Sequence, residues 1–161
     1  TLAFVPSQLV QHFHLSASLA GGLMALYGIG GLFYTQMARR WLGWFGERGL
    51  ARLGSALVAL GLLLLAWGQH PALAAAGCLA AGLGFYMLHN TLQTQATQMA
   101  PHARGSAVTL FACLLFFGQS SGVLLVAQTV DHGGLEWAYT VSALGMLALG
   151  AVIARRVQAK A

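Results

Sequence analysis

The sequence predicts an all-α polytopic membrane protein with five transmembrane helices behind a short N-terminal stub. Three observations carry that expectation. Hydrophobic residues make up 58% of the 161 and charged residues only 7%, against about 25% charged in an ordinary soluble domain. Mean hydropathy is +0.71. The apolar residues also gather in runs of about 20, the length at which a helix crosses a bilayer. Eight Lys+Arg and three Asp+Glu cannot clothe a water-soluble globule of this size. The same numbers exclude a disordered chain, which would be charged and poor in apolar residues.

The elements follow in order. Residues 1–15 are too short to span and read as a helix end with an external loop, Pro6 lying where a missing N–H costs least. Spans are expected at 16–38, 50–68, 72–99, 103–130 and 135–154, with a tail at 155–161. Pro71 and Pro101 fall in connections, as the partition requires. β-Barrel strands would alternate polar and apolar residues, and the run Leu62 to Leu65 does not. No signal peptide is visible and the first residue is Thr, so the chain reads as a fragment lacking its N-terminal part.

Charge sets the expected orientation. The connection after the first span carries Arg39, Arg40, Arg48 and Arg52, the next carries none, the third Arg104, the fourth Asp131 with Glu136 beyond, and the tail Arg155, Arg156 and Lys160. Positive ends thus alternate with neutral or acidic ones. The positive-inside rule puts Arg39–Arg52, Arg104 and the C-terminus in the cytoplasm. A net charge of +5 does not point to nucleic acid, because the arginines form short clusters between apolar runs rather than a basic stripe on a soluble face.

The third span differs from the rest. At about 100° per residue, Tyr86, His89, Asn90, Gln93, Thr94, Thr97 and Gln98 share one face, with Phe85, Leu88, Leu92 and Ala96 opposite and Gln95 the exception. A polar face in a bilayer needs partners or water, so it is expected to line a cavity or bundle interior. Tyr86, His89, Asn90 and Gln93 are the cavity-lining candidates, joined by Gln119 from the polar patch Gln119–Ser120–Ser121 of the fourth span. His89 lies about ten residues, or roughly 15 Å, from the nearer end of its helix. It serves as a solute contact or proton relay, or it simply bonds a neighbouring helix.

Small residues four apart at Ala17/Gly21, Ala80/Gly84, Gly118/Gly122 and Gly150/Ala154 suit close helix packing in lipid, with Gly21, Gly84, Gly118 and Gly122 as the packing glycines. Cys78 and Cys113 sit inside apolar runs and read as small core residues. His12 and His14 have no cysteine or carboxylate beside them, so they read as interfacial loop rather than metal ligands. Arg39, Arg40, Glu47, Arg48 and Arg104 set topology with a surface ion pair, or act as a gate holding helix ends together. No catalytic set, metal site or cofactor site is expected, since no Ser/His/Asp grouping or mid-membrane carboxylate is present.

The run Ala38–Arg39–Arg40 to Gly46–Glu47–Arg48–Gly49–Leu50–Ala51–Arg52–Leu53–Gly54, and Met99–Ala100–Pro101–His102–Ala103–Arg104–Gly105 followed by Gly118–Gln119–Ser120–Ser121–Gly122, resemble the C-terminal half of a major facilitator superfamily transporter of the drug-efflux-like subgroup. The resemblance covers essentially the whole chain. It implies that the five spans correspond to helices eight to twelve of that fold and the stub to the end of helix seven. It further implies a secondary active transporter working by alternating access, as proton-coupled efflux (an antiporter), in a bacterial inner membrane. The implied partners are a small-molecule solute, protons, the lipid bilayer and the missing N-terminal half of the same chain. A non-transporting membrane assembly or signalling subunit is the alternative, and it leaves the single polar helix unexplained.

Overall fold

The longest helix is one that the hydropathy pattern divides in two. The computed structural model describes residues Leu2–Val157. Thr1, the His12 side chain and the end of the expected tail, including Lys160, lie outside the described residues. A short 3-10 turn, Leu2–Phe4, leads into α1 (Val5–Phe13), followed by α2 (Ala17–Trp67), α3 (Pro71–Met99), α4 (Arg104–Gly133) and α5 (Leu135–Arg156). Helices α2 to α5 are long and apolar enough to cross a membrane.

A straight helix of 51 residues would reach about 77 Å, more than twice the roughly 30 Å of a hydrocarbon core. Gly46 resolves this. Its backbone, at φ 62° and ψ 176°, leaves the helical region inside α2, in a conformation that a side chain would oppose. Arm one (17–45) and arm two (47–67) both lie against α3: Gly30 meets Leu79 and Leu83, while Gly61 meets Gly77 and Ala81. The expected segments 16–38 and 50–68 fall in the two arms of this one helix, and the all-helical, polytopic fold class holds. The loop expected at 39–49 is corrected to helix on either side of one glycine. Charged residues end an apolar run without ending a helix, since Arg and Leu favour helix as much in water as in lipid.

The stub is also more ordered than a loop. Val5 and Leu9 are fully buried in the main core with Leu62, Leu65, Cys78 and Tyr139, and Gln8 Nε2 donates to the Leu65 carbonyl at 2.6 Å. His14 closes α1 in the left-handed region at φ 53°. Ser16 opens α2, its hydroxyl accepting from Leu19 N–H at 3.3 Å.

Glycine contacts hold arm two to α3. A Cβ at Gly54 would stand 2.8 Å from the Gly84 carbonyl oxygen, and one at Gly84 would run into the Gly54 carbonyl. Only hydrogen fits between two backbones that close, which is how helices gain dispersion contact in lipid. Helix α5 lies antiparallel to arm two. Trp67 Nε1 donates to Thr140 Oγ1 at 3.1 Å at one end, Gly150 abuts Ser55 in the middle, and Arg48 Nε donates to the Val157 carbonyl at 2.6 Å at the other. Helix α4 is set apart, with none of its residues buried.

Of the four expected packing glycines, Gly84 stands at a helix contact. Around Gly21, Gly118 and Gly122 there is open space within this chain.

Candidate functional site

Helix α3 begins on a capped proline: His70 Nδ1 accepts from Ala72 N–H at 3.2 Å, and Pro71 follows at the first turn. Its polar second half forms hydrogen bonds of two kinds. The threonines turn inward on their own helix, Thr91 Oγ1 donating to the Met87 carbonyl and Thr97 Oγ1 to the Thr94 carbonyl, both at 2.8 Å. The amides instead reach outward. Gln95 Nε2 donates to Glu47 Oε2 just past the α2 bend, and Asn90 borders the same cavity as Tyr34 of arm one.

This cavity, of about 210 Å³, is lined by Tyr34, Ala38, Arg39, Leu42, Glu47, Leu50, Asn90, Thr91 and Thr94. It is wedged between the two arms of α2 and the polar half of α3. Its walls offer one guanidinium, one carboxylate, an amide, hydroxyls and an aliphatic floor. Water or a small polar solute could be held there by several groups at once.

The expected site residues do not all converge on this cavity. Asn90 lines it, and so do Arg39 and Glu47 from the charged set. Tyr86 packs instead on Gly31, where any Cβ would meet its ring, and stands edge-on to Phe85 with centroids 5.7 Å apart. His89 is stacked on Phe85 at 5.6 Å and faces Phe111 of α4 at 5.4 Å, its Nδ1 buried without a hydrogen bond. Gln93 is half-buried, and Gln119 is exposed on α4. Arg48 is tied to the end of α5, while Arg40 and Arg104 are exposed. Tyr34 and Thr91 line the cavity as well, and in the sequence only their polarity inside an apolar run marks them. Gln95, the exception on the apolar face, turns out to be the residue that holds Glu47.

The Major Facilitator Superfamily model matches residues 1–160. The chain belongs to the major facilitator superfamily. No curated protein and no solved structure matches it. Membership in this superfamily implies a multi-pass membrane protein that moves a solute across the bilayer. For a major facilitator protein, a polar cavity between otherwise apolar helices has an immediate use. It gives a solute hydrogen-bonding partners where lipid offers none.

Proposed function

We propose that this chain is the C-terminal half of a drug-efflux-like secondary active transporter, working by alternating access in a bacterial inner membrane with its C-terminus cytoplasmic. The observation that carries the reading is the cavity in which Asn90 and Thr94 of α3 face Tyr34, Arg39 and Glu47 of α2. Around α3, Gln93, Tyr86, Thr97, Asn90 and Thr94 fall in that order within the arc of about 200° that runs from His89 to Thr91. That arc is the wall we assign to the solute pathway. The N-terminal half of the protein would supply the facing wall, and the exposed Gln119 of α4 would meet it, since a lone amide in lipid is costly. Arg39, Arg40, Glu47, Arg48 and Arg104 would form the cytoplasmic rim, where the Glu47–Gln95 and Arg48–Val157 bonds hold helix ends together.

Cysteine accessibility tests the reading. In full-length protein carrying Cys78→Ala and Cys113→Ala, the variants Asn90→Cys and Thr94→Cys should react with a membrane-impermeant maleimide. Their rates should be at least about tenfold above Leu60→Cys and Leu114→Cys, which lie on exposed apolar surface. Equal protection at all four positions would favour the non-transporting assembly instead.

Coupling to protons is assigned to His89. Glu47, Asp131 and Glu136 lie at a bend or at helix ends, which leaves His89 as the imidazole well inside a span, between Phe85 and Phe111. His89→Phe keeps an aromatic ring between Phe85 and Phe111. It should therefore leave protein levels intact while flattening the dependence of transport on external pH. An unchanged pH profile would remove His89 from coupling.

A further inference from the structure

The bend of α2 carries exposed apolar and basic residues of which only Leu42 and Arg39 also border the solute cavity. Around Gly46 the chain presents Leu42, Trp44 and Phe45, which are 44%, 69% and 47% exposed. The arginines Arg39, Arg40 and Arg52, also exposed, flank them. Glu47, the one carboxylate in this stretch, is engaged by Gln95. That bond leaves the carboxylate charged, but one carboxylate against Arg39, Arg40, Arg48 and Arg52 still leaves the bend net positive. Arm one and arm two are both apolar, so the bend that joins them must emerge where hydrocarbon gives way to headgroups. Tryptophan and phenylalanine favour that depth, and arginines there attract anionic lipid.

We propose that the α2 bend is a docking surface for the headgroups of anionic phospholipids. Trp44 and Phe45 insert among the upper acyl chains, while Arg39 and Arg40, adjacent on the incoming arm, and Arg52, on the outgoing arm, hold the phosphates. Charge complementarity chooses the occupant, because four arginines against one carboxylate over residues 39–52 attract an anionic surface over a cationic or zwitterionic one. Gly46 has nothing within 4 Å of where a Cβ would stand. Its role is therefore conformational: it turns the helix so that both flanks meet one membrane face. The proposal does not depend on which solute is carried or on any coupling ion.

Tryptophan quenching by brominated lipid gives the test. Full-length protein is reconstituted into phosphatidylcholine vesicles containing a few per cent of brominated phosphatidylglycerol or, separately, brominated phosphatidylcholine. Brominated phosphatidylglycerol should quench Trp44 several-fold more per mole, and Trp44→Phe should abolish that component. The preference should fall about fivefold for each of Arg39→Gln and Arg40→Gln, the equivalent of about 1 kcal/mol per arginine at a membrane surface. Inorganic phosphate at millimolar concentration should leave it unchanged. Equal quenching by the two lipids overturns the proposal, and so does displacement by phosphate, which would mark a free-anion site. An equal loss from Arg155→Gln with Arg156→Gln also overturns it, since that would mean diffuse attraction to a basic protein. Because Arg39 and Arg40 are exposed, these variants should fold, and circular dichroism checks that they do.

Discussion

Leucine in place of Gly84 should cost about 3 kcal/mol or more of stability, enough to lower the melting temperature and yield of the detergent-solubilised protein. The Cβ alone would run into the Gly54 carbonyl, stand 2.7 Å from Val58 N and lie 2.9 Å from Leu57 Cβ. Two of those neighbours are backbone atoms of arm two, which cannot swing aside as a side-chain tip can. Overpacking in a well-filled site typically costs 1–3 kcal/mol, and a clash with the facing backbone lies at or above the top of that range. Gly82→Leu should behave alike, because its Cβ would enter the Tyr27 carbonyl of arm one. Gly122→Leu is the control. It has open space around it in this chain and should change stability by well under 1 kcal/mol. If Gly84→Leu melted with the wild type, the close approach of arm two and α3 would be wrong.

The second large effect is on transport. Thr94→Phe should reduce it at least about tenfold while leaving membrane levels and melting temperature near wild type. The Thr94 side chain borders a cavity of about 210 Å³, and a phenyl ring would fill much of that space and displace any water or solute from Asn90 and Glu47. Thr94→Ser keeps the hydroxyl and adds no bulk, so it should retain most of the activity. The assay is transport, in cells or vesicles, of whichever member of a panel of small solutes the wild-type protein moves. Wild-type rates in Thr94→Phe would take the cavity off the solute's route.

Much of the architecture is legible in the sequence for a simple reason. Whether a segment of about 20 residues prefers lipid is a sum over its own side chains, so it needs no knowledge of neighbours. The spans at 72–99, 103–130 and 135–154 accordingly match α3, α4 and α5 to within a few residues. The polar half of α3 shows itself in the same way, by breaking the apolar sum. Two elements escape it. Residues 39–49 lose apolar character yet stay helical up to Gly46, because helix propensity and lipid preference are different quantities. Residues 5–13 are too short to sum to a span, yet α1 is held by Val5 and Leu9 in the core and by Gln8 on the Leu65 carbonyl, contacts made with a segment far along the chain.

The candidate site divides along the same line. Asn90, Arg39 and Glu47 could be nominated one by one, as polar or charged residues in or beside a span. Nothing local says that Tyr34 shares a cavity with Asn90, that Gln95 crosses from an otherwise apolar face to Glu47, or that His89 turns away to Phe111. A helix face is set by 100° steps, but which neighbour it meets depends on where the chain turns back. Here a single glycine with positive φ makes that turn. By itself, then, the sequence determined the solvent: a chain with 7% charged residues can bury its backbone only as helices in lipid. Only the tertiary structure decided which of its scarce polar groups would share a cavity, because that depends on the fold of α2 at Gly46 bringing position 34 and position 47 to the same stretch of α3.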